Sequence, residues 1–312
     1  MNSIIQAKSK LPIDFINYID ANFGERVVNN ILSGMCETRN TTFRVNTLKS
    51  SNEEVENFLN ANNIEFEKCD FYDSAYIVKK TEKEMLNYDI CKDGKIYLQS
   101  LSSMVPPLVL DAKPGDIVLD MTSAPGSKTT EIAALTNNKA TIYANEIDKI
   151  RFERLKFNIE KQGANIAEVI NDDGCNLGDR YPETFDKVLL DTPCSGEGRF
   201  LLNESSTYSK WSTKMVDELS ALQVKLITSA CKALKPGGTL VYSTCTLNKN
   251  ENEKIVDYAI KNLNMEVVPI DLKIKNKING DAKGFDKQVK DTIKIIPNKN
   301  FEGFYLAKLI KK

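Results

Sequence analysis

The stretch DIVLDMTSAPGSKTTEIAALTNNKATIYANE (116–146) carries the pattern that decides the fold. Its apolar segment DIVLDM (116–121) predicts a buried strand, and the small residues after it lead into an amphipathic helix over 127–136. A second apolar strand, ATIYAN (140–145), follows that helix. This strand–helix–strand order is typical of a parallel sheet, so we expect an α/β protein.

The same alternation continues towards the C-terminus and predicts a doubly wound, mostly parallel Rossmann-like sheet over 91–312. Further strands are predicted at 167–171, 186–191, 238–244, 265–270 and 303–310, and further helices at about 148–162 and 214–234. We expect KPGG (235–238) to form a turn and Asn248-x-x-Glu251 to cap the start of another helix. Segment 273–300 is interpreted as a loop with one short strand, 293–296.

Residues 1–90 have a different pattern and are predicted to form a separate, small α+β domain. Helical periodicity begins after Pro12, and FRVNTL (43–48) then alternates as a strand does. A helix over 52–63 and short strands over 64–69 and 75–80 complete the unit.

The composition of the 312-residue chain excludes several classes of protein. There is no histidine, so neither a Ser-His-Asp triad nor an HExxH zinc site can form. The seven cysteines include no C-x-x-C pair, which favours free thiols and no metal. No apolar run is long enough to span a membrane and no secretory signal is visible, so we expect a cytoplasmic protein without a membrane partner.

Charge is distributed unevenly along the chain although the net charge is only −1. From Asp271 to the end there are 11 Lys, no Arg and 5 acidic residues, so this part carries a net charge of +6. A Lys-rich stretch of this kind is either a phosphate-binding surface or a solvated face, and both interpretations stay open.

The turn between the first strand and helix of the deciding stretch has the character of a ligand-binding loop. Its small residues allow a ligand to approach the backbone at a helix N-terminus. Glu146 stands at the end of the next strand, where a carboxylate binds ribose hydroxyls, and Asp173 follows the strand after that, where it borders an adenine. The loop is neither GxGxxG nor GxxxxGK[ST], which disfavours NAD and ATP and fits S-adenosylmethionine.

Two more motifs end neighbouring strands of the predicted sheet. DTPCSGEGRF (191–200) places Asp191 and Cys194 after one strand, and VYSTCT (241–246) places Cys245 at the end of the next. Because parallel strands end at one edge of a sheet, the two thiols are expected to converge beside the cofactor. The pair is a catalytic pair, a redox pair or two structural cysteines.

These three motifs, in this order and spacing, resemble those of the RsmB/NOP2/Sun family of RNA cytosine-C5 methyltransferases. The similarity runs from about Gly94 to the C-terminus and includes Trp211, Gln223, the ENE triplet (251–253) and EGFYLAKL (302–309). Residues 1–90 resemble, more weakly, the RNA-binding domain that precedes the catalytic domain in that family.

The resemblance implies S-adenosylmethionine as cofactor and a role for each site residue. Cys245 would attack the cytosine ring, Cys194 would assist proton removal and enzyme release, Asp191 would bond the base edge, and Lys128 would lie near the base. For Arg151, cofactor contact and a surface salt bridge remain alternatives. Cofactor contacts are expected from Thr122, Ser123, Ala124, Pro125, Gly126, Ser127, Lys128, Glu146, Arg151, Asp173 and Asp191.

The family also implies an RNA partner and leaves its class open. We expect small-subunit (16S-type) rRNA, with tRNA as the alternative, and a monomeric enzyme. A non-catalytic RNA-binding or ribosome-assembly factor with this fold would be expected to have lost its chemical residues. Methylation of an amino nitrogen is disfavoured because the turn at 191–194 is Asp-Thr-Pro-Cys and lacks the Pro-Pro-aromatic sequence.

Overall fold

Two β-sheets organise the chain in the computed structural model, which describes residues 3–312; the first two residues of the predicted N-terminal domain lie outside the described residues. The N-terminal helices are α1 (Ser3–Lys10), α2 (Ile13–Asn22), α3 (Glu25–Cys36), α4 (Asn52–Ala61), α5 (Glu82–Met85) and α6 (Asp89–Lys92). The strands of this part are β1 (Thr41–Val45), β2 (Phe66–Cys69), β3 (Tyr72–Val78) and β4 (Ile96–Leu98).

The small sheet has the antiparallel order β2-β3-β1-β4. The rings of Phe43 and Tyr76 stack at 5.3 Å on its buried side, as expected for aromatic cross-strand neighbours. Strand β4 pairs with β1, with Phe43 opposite Leu98, so the sheet extends past the predicted boundary at residue 90.

The first three helices bury their apolar face against the C-terminal part of the chain. Phe15 of α2 packs edge-on against Phe200 at 5.0 Å and Trp211 at 5.9 Å. Ile16 and Ile19, one turn apart on the same helix, are buried in the same cluster. The predicted periodicity therefore marks a real buried face, and its partner belongs to the larger unit.

The larger unit contains a nine-stranded sheet of order β11-β12-β13-β9-β8-β5-β6-β7, with β10 paired to β13. Its strands are β5 (Ile117–Asp120), β6 (Thr141–Asn145), β7 (Glu168–Ile170), β8 (Phe185–Asp191), β9 (Leu234–Thr244), β10 (Met265–Val268), β11 (Lys277–Asn279), β12 (Ile293–Ile295) and β13 (Phe304–Lys311). Its helices are α7 (Leu101–Leu110), α8 (Ser127–Leu135), α9 (Lys149–Gln162), α10 (Leu177–Arg180), α11 (Thr213–Ala233) and α12 (Glu253–Asn262).

The centre of this sheet is parallel, which confirms the predicted α/β class. Strands β9, β8, β5, β6 and β7 pair in parallel, whereas β13 runs antiparallel to β9. The chain moves outward from β5 through β6 and β7 and then returns to β8 and β9 on the other side. Loops that follow β5 and β8 therefore diverge at this reversal point, where ligands bind in such sheets.

Helix α7 lies in a segment for which no element was predicted. It contains Pro106 and Pro107, residues that normally disfavour a helix interior because they lack a backbone donor. Val105 and Val109 are buried with Val118 of β5. Burial of this apolar face stabilises the helix in spite of the two missing N–H groups.

The predicted short strand at 293–296 is confirmed as β12, but three local predictions were wrong. The rest of segment 273–300 was predicted as loop, yet it contains β11, whose Ile278 lies opposite Lys294 in an antiparallel ladder. Strand β9 starts at Leu234 and passes irregularly through KPGG, where Gly237 has a φ of +76°, so no turn separates it from α11. Helix α12 begins at Glu253, and Glu251 has no capping role.

A buried arginine joins the small sheet to the larger unit. Arg44 of β1 is fully buried and donates hydrogen bonds to Gln99, to the Ser127 carbonyl (3.1 Å) and to the Thr130 hydroxyl (2.8 Å). Glu131 lies 3.8 Å from its guanidinium. These contacts fix the small sheet against the start of α8. Within residues 3–312, every helix is too short or too polar to cross a membrane.

Candidate active site

A cavity of about 560 Å³ opens at the carboxyl edge of the parallel strands, between the two sheets. Its volume lies in the range of small-molecule sites. Its lining residues include ten of those singled out from the sequence: Thr122, Ser123, Ala124, Pro125, Ser127, Lys128, Arg151, Asp191, Cys194 and Cys245. The other three, Gly126, Glu146 and Asp173, lie outside its lining.

The two thiols meet as their positions at neighbouring strand ends predict. Cys194 follows β8, Cys245 follows β9, and their sulfur atoms are 3.2 Å apart. The backbone N–H of Cys245 also donates to the Cys194 sulfur at 3.3 Å. The hydrogen bond with Cys245 and then burial raise the pKa of Cys194 well above its usual value. Cys194 is therefore a protonated thiol at neutral pH.

A buried ion pair lies beside the thiols. The ammonium of Lys128, at the start of α8, is 2.6 Å from an Asp191 carboxylate oxygen and donates to the Ser103 hydroxyl at 2.7 Å. Ser243 donates to the other Asp191 oxygen at 2.8 Å. Burial lowers the pKa of Lys128, but Asp191 outweighs this effect, so the net pKa is raised and Lys128 is a cation.

The small-residue loop is held at the ends of β5 and β6 by its own hydrogen bonds. The Ser123 backbone N–H donates to the Asn145 carbonyl at 2.7 Å, and the Thr122 hydroxyl donates to the Asp191 carbonyl at 2.8 Å. The Ala124–Pro125 bond is cis, and Gly126 adopts a φ of +102° just before α8. This positive φ suits a residue without a side chain, which explains glycine here.

Glu146 and Arg151 form a second charged pair near the loop. Glu146 is 2 % exposed, and one of its oxygens accepts from the Asp148 N–H at 2.9 Å. The other oxygen lies 3.4 Å from the Arg151 guanidinium and has no hydrogen-bond partner among the described residues. Arg151 also donates to the Ala124 carbonyl at 2.7 Å, so it is both an ion-pair partner and part of the cavity wall.

Asp173 lies near Glu146 along the same sheet edge. The Glu146 N–H bonds to the Ile170 carbonyl at 3.0 Å, which joins the ends of β6 and β7. One Asp173 oxygen accepts from the Cys175 N–H at 2.9 Å and caps the short 3-10 turn Gly174–Asn176. Its local role is therefore that of a cap, and like Glu146 it lies outside the cavity lining.

Several cavity residues received no role from the sequence. Asp120 ends β5, is fully buried, and accepts from the Thr129 hydroxyl at 2.6 Å; burial raises its pKa to about 7. Arg199 and Glu302 also line the cavity and form an ion pair at 3.8 Å. Asp120 and Arg199 stand within the quoted motifs, so their position was a usable signal, whereas nothing local links Glu302 to Arg199.

A buried carboxylate supports the loop that carries Cys194. Glu251 accepts from the Ser195 N–H at 2.9 Å, from the Ser195 hydroxyl, and from Gln223 at 3.0 Å. Gln223 also donates to the Pro193 carbonyl at 2.9 Å. The ENE triplet therefore contributes an anchor for residues 193–195, and the predicted helix cap at Asn248 and Glu251 was wrong.

The family described as 16S rRNA methyltransferase RsmB/F matches residues 107–310. The chain belongs to this family. The resemblance to RsmB/NOP2/Sun RNA cytosine-C5 methyltransferases is thereby confirmed.

Relatives within the family act on different RNAs. The tRNA (cytosine(49)-C(5))-methyltransferase of Pyrococcus abyssi is 38% identical over 281 residues, which are 86% of this chain and 88% of the relative. Ribosomal RNA small subunit methyltransferase F of Shewanella sp. ANA-3 is 40% identical over 220 residues, 70% of this chain. The match covers 45% of that relative, so the chain spans about half the length of the F-type enzymes.

Solved structures of this family share the whole architecture. A methyltransferase homologue from Pyrococcus horikoshii superposes with a TM-score of 0.86 and 30% identity, over 100% of both chains. NSun6 from the same organism, solved with SFG, superposes with a TM-score of 0.83 and 25% identity, over 97% of this chain and 99% of that one. The small sheet and the parallel sheet are therefore both features of these relatives.

Proposed function

We propose that this chain transfers a methyl group from S-adenosylmethionine to C5 of a cytidine in RNA. The observation that carries the proposal is the pair of thiols 3.2 Å apart, beside a buried lysine–aspartate pair, at the mouth of a cavity of cofactor size. Two thiols and a cation in such an arrangement suit covalent catalysis on a flat ring. Family membership supports the reaction class.

The residues at the sheet edge fit the proposed cofactor. S-adenosylmethionine supplies an electrophilic methyl group on a sulfonium and has no phosphates. The buried Glu146 oxygen without a hydrogen-bond partner would accept from a ribose hydroxyl, because an unsatisfied buried acceptor is costly. Asp173 would accept from the adenine amino group, and residues 122–128 would border the methionine end. Arg151 would keep its hydrogen bond to the Ala124 carbonyl and form part of the wall of the site.

Cys245 would begin the reaction on the RNA base. Its thiolate would form a bond to C6 while the electrons of the C5–C6 double bond move onto C5. C5 would then bond the methyl group as the bond between that group and the cofactor sulfur breaks. Loss of the C5 proton to a base would restore the C5–C6 double bond and release the Cys245 thiolate from C6. Cys194, which holds its proton, would assist the removal of the C5 proton and the release of Cys245. Asp191 would hydrogen-bond the base edge at N3 or N4, oriented by Ser243 and Lys128.

The RNA would bind across the N-terminal unit and the cavity. A base must leave its stack to reach thiols in the cavity wall, so we infer single-stranded or remodelled RNA as the substrate. The domain division at residues 1–90 and 91–312 stays a prediction in which the small sheet, here extended to Leu98, binds RNA. We also infer a cytoplasmic monomer that binds no metal.

Small-subunit rRNA is the substrate that we propose, and tRNA is the second candidate. The F-type relatives support rRNA, while the nearly full-length match to the Pyrococcus abyssi tRNA enzyme favours tRNA. Bisulfite sequencing of total RNA from wild-type and deletion strains tests both. Loss of one protected cytidine in rRNA supports the proposal, and loss in tRNA supports the second candidate. If the bisulfite pattern is the same in both strains and the protein transfers no methyl group to total RNA from the deletion strain, both candidate substrates are wrong. The remaining hypothesis is then a non-catalytic ribosome-assembly factor.

A further inference from the structure

Arg199 is a charged residue in the cavity wall to which the proposed mechanism gives no role. It ends the short 3-10 turn Glu197–Arg199, which directly follows the Cys194 loop. Its side chain is 64% exposed, and it lines the same cavity as both thiols. An arginine at such a position is always protonated, so it adds a permanent positive charge beside the reacting sulfur.

The backbone holds Arg199 close to Cys245. The N–H of Gly198 donates to the Cys245 carbonyl at 2.9 Å, and the N–H of Gly303 donates to the Gly198 carbonyl at 2.8 Å. A Cβ atom on Gly198 would lie 2.0 Å from the Gly303 carbonyl oxygen. The three segments are thus in direct backbone contact, and the glycines make this approach possible. The Arg199 side chain leaves the backbone next to Gly198, the residue that bonds the Cys245 carbonyl.

The guanidinium has two partners at this point. It shares the cavity wall with the Cys245 thiol and attracts negative charge on that sulfur, and its Nε lies 3.8 Å from a Glu302 oxygen. The second Glu302 oxygen accepts from the Ser100 hydroxyl at 3.1 Å, which fixes the carboxylate. Glu302 therefore restrains Arg199 without a close ion pair.

Two cations, Lys128 and Arg199, face Cys245, and their carboxylate partners neutralise them to different extents. Lys128 sits 2.6 Å from Asp191, which cancels most of its field, whereas the Arg199 pair is more than an ångström longer. Cys194 and Glu251 also lie near the thiols and disfavour a thiolate when charged, and Arg39 donates to the Gly198 carbonyl at 3.3 Å. Of Lys128 and Arg199, the charge of Arg199 is the less neutralised.

We propose that Arg199 is a catalytic residue that stabilises the Cys245 thiolate, and that Glu302 limits this effect. The S–H bond of Cys245 breaks, its proton goes to solvent water, the sulfur keeps the electron pair, and Arg199 keeps all of its protons. The inference rests on the proposed role of Cys245 as nucleophile. A nearby cation lowers a thiol pKa by favouring its charged form.

The test measures the thiol itself, without RNA or cofactor. Cys194→Ala protein is alkylated with iodoacetamide between about pH 6 and 10, and mass spectrometry of the Cys245 peptide gives the rate at each pH. Arg199→Gln should slow alkylation at about pH 7.5 by roughly threefold to tenfold and shift the profile to higher pH. The alkylation rate of Arg199→Lys should lie between those of the parent protein and Arg199→Gln. A profile of Arg199→Gln identical to the parent would overturn the proposal.

Substitution of Glu302 should change the alkylation rate of Cys245 in the opposite direction to substitution of Arg199. Glu302→Gln removes an anion that restrains Arg199, so alkylation of Cys245 should become faster at the same pH. A merely structural loosening would change both variants in the same direction, which would overturn the proposal. Arg180→Gln is the matched control, because it also removes an exposed guanidinium paired with carboxylates, Glu168 and Asp172, outside the cavity lining.

Two further measurements separate this inference from the proposed function. Thermal melting of each variant establishes that the compared proteins are folded. If methyl transfer to RNA is absent but the Arg199 and Glu302 shifts are observed, the thiolate inference holds and the proposed reaction fails. If transfer is present and neither variant shifts the profile, the reaction holds and the role of Arg199 is wrong.

Discussion

Two buried lysine–carboxylate pairs of nearly equal length have opposite electrostatic settings. Lys128–Asp191 measures 2.6 Å at the cavity wall, and Lys294–Glu253 measures 2.7 Å among packed side chains. The side chains of the first pair are 11% and 25% exposed, and those of the second 1% and 0%. The pKa of Lys128 is raised, whereas burial, only partly offset by Glu253, lowers the pKa of Lys294.

The surroundings explain this difference. Lys128 faces Asp120 and Cys245 in addition to its partner, so negative charge is in excess around it. Lys294 is enclosed by packed side chains, and the nearby cation Lys249 lowers its pKa further. We infer that the cavity pair can exchange a contact for a substrate contact while the lysine stays charged, whereas the packed pair has only a structural role.

The largest expected effect tests whether the Lys128–Asp191 pair lies beside the residues that react with the RNA base. Cys245→Ala should lower methyl transfer by at least about a thousandfold, because no other group replaces the nucleophile. Cys194→Ala should instead accumulate a covalent RNA adduct, because release is slowed. Denaturing gels of protein incubated with RNA and S-adenosylmethionine detect the adduct. An adduct with Cys245→Ala and none with Cys194→Ala would exchange the two roles.

The next largest effect compares the two lysines directly. Lys294→Met leaves Glu253 buried without its partner and should lower the free energy of unfolding by about 3–5 kcal/mol. Lys128→Met opens onto a cavity, so its cost should be about 1 kcal/mol, but methyl transfer should fall by about a hundredfold. Urea denaturation and initial rates per folded molecule give both values.

The double variant Lys294→Met/Glu253→Gln is the control for the packed pair. It removes both charges and should recover most of the lost stability, because the penalty comes from the unpaired carboxylate. If Lys128→Met proves as destabilising as Lys294→Met while transfer per folded molecule is unchanged, the distinction between the two pairs is wrong.

The sequence predicts one member of this comparison and gives no sign of the other. Lys128 follows a recognisable strand–loop–helix pattern, and parallel strand ends bring Asp191, Cys194 and Cys245 to it. Lys294 belongs to a predicted short strand, 293–296, and Glu253 to the start of a predicted helix, and only the tertiary fold pairs them. Periodicity predicts which elements form, but it carries no information about which distant side chains meet.

The same limit accounts for the other differences. Helix α7 forms although it contains two prolines, because its buried contacts with the sheet outweigh a local preference that is visible in the sequence. Glu251 matches a capping pattern locally, yet its carboxylate binds Ser195, which is 56 residues away in the chain. Patterns of two or three polar residues are therefore weak predictors when a buried polar partner competes for them.

A smaller effect concerns Asp120, one of the anions that hold Lys128 in its charged form. Its pKa is raised to about 7 from an ordinary value of 3.8, so between these values the folded state binds a proton that the unfolded state lacks. Stability should therefore fall as pH rises through this window, by about 1.4 kcal/mol per unit at most. Asp120→Asn should flatten that slope in urea denaturation measured at several pH values. An unchanged slope would mean that Asp120 does not titrate in this window and that Asp191 alone keeps Lys128 charged.

The smallest expected effect concerns Glu146, a carboxylate that is buried like Glu253 but has only the half-exposed Arg151 as its ionic partner. Glu146→Gln should weaken S-adenosylmethionine binding about tenfold, since one charged acceptor for the ribose becomes neutral. The unfolding free energy should change less than in Lys294→Met. Isothermal titration calorimetry measures the affinity, with Glu168→Gln as the control, because Glu168 also pairs with an arginine at 3.4 Å but has no proposed contact with the cofactor. Equal affinities for the two variants would mean that the unpaired oxygen of Glu146 does not bind the cofactor.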